Sequence, residues 1–98
     1  MSSNLTGLTH KNMNWYVYIV ISADNSLYTG ITVDVSRRVI EHNTSNTKGS
    51  KSLRGKRPVV LAYTEKYSSR SKATARECDI KRMSRAEKLA LISTITTQ

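Results

Sequence analysis

The sequence predicts a small α+β domain, in which a three-stranded antiparallel sheet is flanked by helices in the order β-β-α-β-α-α. Two apolar runs joined by a turn-forming tetrapeptide indicate a hairpin, a third apolar run follows a polar loop, and helical patterns fill the remainder. A chain of 98 residues suffices for one domain with a modest core. We therefore expect a flexible N-terminal tail over residues 1–13 and a single domain over residues 14–98.

The hairpin carries the strongest local signal. Residues 15–22 are rich in β-branched and aromatic side chains and are apolar on both faces, which is typical of a central strand. Residues 23–26 include Asp24 and Asn25, two residue types that favour turns and tolerate a positive φ. The second strand is predicted over residues 27–32, antiparallel to the first.

The first helix is predicted over residues 33–43, with Thr32 or Asp34 as its N-cap. On this helix Arg37 and Glu41 are one turn apart and should form an ion pair. A polar, glycine-containing loop is expected to continue to residue 57.

The C-terminal half should add one strand and two helices. The strand is predicted over residues 59–67, and a second helix begins at residues 68–69 and runs to about residue 83. Ser84 and Glu87 have the spacing of a capping box, so a third helix should start there and extend to about residue 93.

The charge balance indicates a polyanionic partner. The chain has 16 Lys and Arg against 7 Asp and Glu, a net charge of +9. Nucleic acid is the first candidate partner and an anionic membrane surface the second. The loop over residues 43–57 has no acidic residue and five basic ones: Lys48, Lys51, Arg54, Lys56 and Arg57.

Several protein classes are disfavoured by the sequence. Cys78 is the single cysteine, so an internal disulfide and a cysteine-rich zinc site are excluded. No apolar run resembles a signal peptide or approaches the length of a membrane span, which favours a cytoplasmic protein without membrane association. There is no phosphate-binding loop motif, and the absence of clustered carboxylates disfavours a two-metal site.

The first helix places two polar residues within its apolar arc. Val35 and Val39 define the inward stripe, and Arg38 and His42 fall in the same arc at 100° per residue. Judged on this helix alone, the favoured interpretation is that Arg38 and His42 lie at the edge of the stripe and extend outward.

The second helix contains a carboxylate on its inward face. Ala73, Ile80 and Ser84 are predicted to share that face, with Glu77 near its centre. A glutamate in such a position is unusual unless it is paired or binds a cation. Lys81, one turn later, could neutralise it, and spacing alone leaves a salt bridge and a cation ligand equally open.

Together these residues resemble the GIY-YIG endonuclease superfamily, and more closely its small stand-alone bacterial members. The resemblance covers about residues 14–92. Tyr16 stands where the family has the first glycine of its first triplet, and Thr29 occupies the middle of the second triplet. The matching elements, in order, are Tyr16-Val17-Tyr18, Tyr28-Thr29-Gly30, Arg38, His42 and Glu77.

This resemblance implies a site for phosphodiester hydrolysis. Glu77 would hold one Mg²⁺ (or Mn²⁺) ion, and Arg38 would bind the scissile phosphate. Tyr28, helped by Tyr18, would orient or deprotonate the attacking water, and His42 would relay the proton or bind phosphate. Tyr18 and Tyr28 should therefore converge on one pocket, whereas Tyr16 is expected to be structural.

The remaining site residues are assigned to DNA contact. Gly30, which has no Cβ, would let DNA backbone or a side chain approach beside Tyr28. Basic side chains would contact flanking phosphates: Lys48, Lys51, Arg54, Lys56, Arg57 and Lys81.

The resulting hypothesis is a metal-dependent DNA endonuclease of low sequence specificity, possible selectivity for DNA structure, and a role in repair or recombination. RNA remains open as a substrate, and a monomer is favoured. The alternatives are a non-catalytic nucleic-acid-binding module and a repair adaptor of the same fold.

Overall fold

The computed structural model describes residues 14–44 and 55–96 as an α+β fold with the predicted order of elements. The strands are β1 (Trp15–Ile21), β2 (Leu27–Thr32) and β3 (Val60–Tyr67). The helices are α1 (Val35–Thr44), α2 (Arg70–Lys81) and α3 (Arg85–Thr96). The predicted N-terminal tail, residues 1–13, lies outside the described residues.

The sheet has the order β2-β1-β3 and is antiparallel throughout, so β1 is the central strand, as its two-sided apolar pattern predicts. Tyr18 pairs with Gly30 on one side and with Thr64 on the other. The hairpin turn places Asn25 at a φ of 69°. Asp24 closes this turn by accepting hydrogen bonds from Ser22 and Ser26.

Each face of the sheet is covered by different helices. Helices α2 and α3 cover the face that carries Val17 and Ile19, whose core includes Ala73 and Ile80. Helix α1 packs on the opposite face, which carries Tyr18. Because side chains alternate along a strand, neighbouring residues of β1 and β2 belong to different cores.

Helix boundaries follow their capping side chains. Asp34 caps α1, since its Oδ1 accepts from Arg37 N at 3.1 Å, and the helix therefore begins at Val35 rather than at residue 33. Ser84 and Glu87 form the predicted capping box of α3, with Ser84 N 2.8 Å from Glu87 Oε1 and Glu87 N 3.2 Å from Ser84 Oγ.

Two further expectations have different outcomes. Arg37 and Glu41 form the predicted ion pair, at 3.2 Å. The placement of Ser84 on the inward face of the second helix is wrong, because α2 ends at Lys81 and Ser84 is exposed beyond it. The 100° spacing assigns a face to every residue as if the helix continued, and it does not show where the helix ends. Ser84 therefore fits the spacing although it lies beyond the last turn.

An ion-pair cluster fixes β3 to α2. The carboxylate of Glu65 receives both Nε (2.9 Å) and Nη2 (3.1 Å) of Arg76, and also the hydroxyls of Tyr63 and Tyr67. Burial raises the pKa of Glu65, but the bonds from Arg76 and the two tyrosines outweigh it, and the net pKa is lowered. The cluster is a fully bonded structural connection between two elements.

Asn43 attaches the end of α1 to the start of β3. Its Nδ2 donates to Val59 O at 3.1 Å, and its Oδ1 accepts from Val59 N at 2.7 Å. This side chain satisfies both backbone groups of a buried residue. The attachment fixes the C-terminal turn of α1, which carries His42, against the sheet.

Candidate active site

The centre of the candidate site is a hydrogen bond between Tyr18 and His42. Tyr18 Oη lies 2.9 Å from His42 Nε2, and each residue is only 1% exposed. The expectation that His42 extends outward from the edge of its helix is therefore wrong. The central strand supplies the hydroxyl of Tyr18 as a polar partner for the imidazole inside the core. Burial of His42 is tolerated because this hydrogen bond is made.

Gly30 makes this position of Tyr18 possible. A Cβ on Gly30 would lie 2.6 Å from Tyr18 Oη and 2.8 Å from its Cζ, closer than carbon atoms approach. The phenol of Tyr18 therefore lies across Gly30, its cross-strand neighbour. The sequence left open whether the glycine makes room for DNA backbone or for a side chain. The structure shows a side chain in that space, namely Tyr18.

Arg38 lies beside the Tyr18–His42 pair. Its Nη1 donates to Glu41 Oε1 at 3.1 Å, and its positive charge acts to lower the pKa of both Tyr18 and His42. The buried pair therefore has a cation next to it.

Electrostatics determine which protons this pair carries. Burial raises the pKa of Tyr18 to about 12, despite the opposing effect of Arg38. Burial also lowers the pKa of His42, and the charges of Arg38 and Arg57 lower it further. At neutral pH Tyr18 therefore keeps its proton and His42 remains uncharged.

Tyr28 stands beside this chain on the neighbouring strand. Its ring centroid is 6.4 Å from that of Tyr18 and 5.4 Å from that of His42, which it meets edge to face. Among the described residues its hydroxyl makes no hydrogen bond, and the side chain is half-buried. The two tyrosines thus do converge, but one phenol is internal and the other remains available to solvent.

Thr29, between Tyr28 and Gly30, belongs to the other face of β2. It is buried, and its Oγ1 has no hydrogen-bond partner among the described residues. The alternation explains why only the outer residues of this triplet line the site.

Glu77 approaches from the helix on the other face of the sheet. Its charge contributes to the raised pKa of Tyr18, so the carboxylate lies within electrostatic reach of the phenol. Its Oε2 is 3.3 Å from Lys81 Nζ, and the two side chains are 18% and 54% exposed. The salt bridge left open by the sequence is therefore formed, between a largely covered carboxylate and a solvent-facing lysine.

The predicted basic loop is only partly covered by the described residues. Arg57 Nε donates to His42 O at 2.7 Å, so Arg57 supports the end of α1. Lys56 faces the hairpin turn, with Nζ 3.6 Å from Asp24 Oδ2. The other three members, Lys48, Lys51 and Arg54, lie outside the described residues.

Sequence reasoning missed the attachment made by Asn43 and the role of Arg57 at the helix terminus. Asn43 was assigned to the start of a loop because its polar neighbours continue beyond it. The signal that could have identified it is its position directly after His42, where a helix that carries a site residue must be fixed.

The sequence model described as the GIY-YIG catalytic domain matches residues 14–90 of the chain. A UPF0213 protein of Staphylococcus haemolyticus is 52% identical over 77 residues, which cover 79% of this chain and 92% of that protein. A UPF0213 protein of Halobacterium salinarum is 49% identical over 76 residues, covering 78% and 96% of the two chains.

Two solved structures are similar as well. The solution NMR structure of a UPF0213 protein from Bacillus halodurans is 41% identical and has a TM-score of 0.54, covering 84% of this chain and 85% of that one. The solution NMR structure of a protein from E. faecalis is 33% identical and has a TM-score of 0.59, with coverage of 87% and 88%. Within residues 14–44 and 55–96, no helix is both long and apolar enough to cross a membrane.

Proposed function

The chain belongs to the GIY-YIG family, a nuclease family, and we propose that it is a DNA endonuclease that depends on one divalent metal ion. The observation that carries the proposal is the convergence of Tyr18, Tyr28, Arg38 and His42 on the α1 face of the sheet, within electrostatic reach of Glu77. Low sequence specificity, possible selectivity for DNA structure, and a role in repair or recombination are part of the same proposal.

The donor set fits a single Mg²⁺ or Mn²⁺ ion held by Glu77. Among the described residues no three His, Cys, Asp or Glu side chains cluster as a metal site, so one carboxylate is the available protein ligand. Mg²⁺ commonly keeps several waters and uses one carboxylate together with substrate phosphate. Lys81 is exposed enough to move from Glu77 when a cation binds. The bound ion would neutralise charge on the phosphoryl oxygens.

Arg38 would bind the scissile phosphate. Its planar guanidinium matches two phosphate oxygens, and its side chain is 27% exposed although it also pairs with Glu41. Burial lowers the pKa of Arg38, but the effects of Glu41 and Tyr18 outweigh this and raise it overall. The positive charge is therefore permanent.

The two tyrosines would have different roles. Tyr28, whose hydroxyl is accessible, would orient the attacking water, and its phenolate form would accept the proton from that water. Tyr18, with a pKa of about 12 and its hydroxyl bonded to His42, would position the imidazole. His42 would hold Tyr18 in place and would be the buried base beside both phenols.

Cleavage assays would test the proposal on supercoiled, nicked and branched DNA, with Mg²⁺, with Mn²⁺ and with EDTA. We expect metal-dependent cutting by the wild type and loss of cutting in Glu77→Gln and Tyr28→Phe. Lys81→Met is the comparison variant, since it breaks the same salt bridge without removing the carboxylate; we expect it to keep metal-dependent cutting, reduced only by the loss of one phosphate contact. Absence of cutting on every substrate, or full activity in Glu77→Gln, would overturn the proposal.

The alternative is a nucleic-acid-binding module that performs no chemistry. The closed Glu77–Lys81 pair favours it, because a carboxylate already neutralised by a lysine needs no metal ion. This alternative predicts salt-dependent DNA binding without cleavage, and it predicts that Glu77→Gln binds and functions as the wild type does. An adaptor would instead bind a protein tightly and DNA negligibly.

A further inference from the structure

An open depression lies at the corner where the hairpin meets α3. It has a volume of about 300 Å³ and is lined by Ser26, Leu27, Arg85 and Lys88. Arg85 is held there by its Nη1, which donates to Asn25 O at 2.8 Å. The guanidinium is therefore attached to the turn through one nitrogen, and its other N–H groups can donate to a ligand.

The two basic side chains of this depression are not neutralised within the described part of the chain. Neither Arg85 nor Lys88 forms a salt bridge there, in contrast to Lys56 and Lys81. Asp24, in the same turn, is paired with Lys56 and accepts three hydrogen bonds from Ser22 and Ser26.

Glu87, on the same helix, is engaged elsewhere, because its Oε1 accepts the backbone N–H of Ser84. The positive charge of Arg85 and Lys88 thus remains available to an anionic ligand.

The depression is next to the candidate site. Leu27 lines it and Tyr28 follows directly in the chain, so their Cα atoms are about 3.8 Å apart. Alternation along the strand sends Leu27 to the α2–α3 face and Tyr28 to the α1 face. Both features therefore flank the open edge of β2, which has a sheet neighbour only on the β1 side.

We propose that Arg85 and Lys88 bind backbone phosphates of the nucleic-acid strand that passes through the candidate site. A nucleic-acid strand carries one negative charge about every 3.4 Å along its axis, so a strand that crosses the edge of β2 presents phosphates to both places. The inference rests on the proposed function, and it adds Arg85 and Lys88 to the predicted basic loop as a second contact surface.

The test is DNA binding by fluorescence anisotropy in EDTA, over a range of KCl concentrations. The variant is Arg85→Gln with Lys88→Gln, which removes two charges but keeps an amide donor for Asn25 O. The matched control is Lys66→Gln with Lys72→Gln, which removes two exposed charges at the opposite end of the sheet. We expect the first pair to weaken binding several-fold more than the control and to lower the log–log salt slope by about 2.

Each outcome has a distinct meaning. If the wild type binds DNA and both double variants weaken binding equally, with equal unfolding midpoints, the inference is overturned while the proposed function stands. If the wild type neither binds DNA in EDTA nor cleaves it with Mg²⁺, both proposals are overturned. If the wild type cleaves DNA with Mg²⁺ but does not bind it in EDTA, the inference alone is overturned.

Discussion

Tyr18 Oη and His42 Nε2, from residues 24 positions apart in the sequence, meet at 2.9 Å inside the core. Removing the hydroxyl in Tyr18→Phe leaves a buried imidazole nitrogen without this hydrogen-bond partner, which costs about 1–3 kcal/mol of unfolding free energy. Tyr28→Phe removes a hydroxyl with no described partner and should change stability little. Urea denaturation of both variants tests this difference, and equal losses would contradict the assignment of one internal and one accessible phenol.

Gly30→Ala should destabilise the protein. The added Cβ would be 2.6 Å from Tyr18 Oη, and the phenol cannot move without losing its bond to His42. We expect a loss of about 1–3 kcal/mol, as for other overpacked cores. Gly55→Ala is the control, because among the described residues, its chain neighbours aside, no atom lies within 4 Å of its Cβ position. The prediction fails if the two alanine variants have the same denaturation midpoint.

His42 should make stability depend on pH. Its pKa is lowered in the folded state by burial and by Arg38, whereas in the unfolded chain it is about 6.5. As the pH falls below about 6.5 the unfolded chain binds a proton that the folded protein does not, so stability decreases. The decrease levels off below the folded-state pKa.

The comparison for this prediction is His42→Gln, which keeps an acceptor for Tyr18 but does not titrate. Thermal unfolding of both proteins between pH 7.5 and 5.5 should show a larger loss for the wild type. Identical losses would mean that His42 is not held neutral.

Asn43→Ala should loosen the end of α1. It removes both hydrogen bonds to Val59 and leaves a buried backbone amide unsatisfied, at a cost of about 1–3 kcal/mol. Asn43→Asp keeps the acceptor for Val59 N and loses only the donor, so it should fall between the wild type and Asn43→Ala. Hydrogen exchange at the Val59 amide reports directly on the attachment, and unchanged exchange in Asn43→Ala would contradict it.

Local patterns predicted the elements but not all of their ends. The alternation and turn residues of the hairpin, the capping box of Ser84 and Glu87, and the Arg37–Glu41 pair all depend on residues within a few positions of one another. The family resemblance supplied the remaining information, namely which polar residues belong together.

Contacts between distant elements could not be predicted. Periodicity placed His42 near the inward arc, but the hydroxyl that makes its burial favourable is on β1. The same limit applies to Glu65, whose partner Arg76 is 11 residues away on α2 and whose bonding depends on how that helix crosses β3. The reason for a glycine at position 30 could not be predicted from β2 alone, because the side chain that occupies the Cβ space is Tyr18 on β1.

The two outer strands of the sheet are not equivalent. Among the described strands, β2 and β3 each leave one side of their backbone without a sheet neighbour, and the candidate site lies along β2. A peptide segment that extended the sheet at β3 would leave Tyr28 accessible. A segment that extended it at β2 would mask Tyr28. The sheet can therefore gain a strand beside β3, but not beside β2, while the candidate site stays accessible.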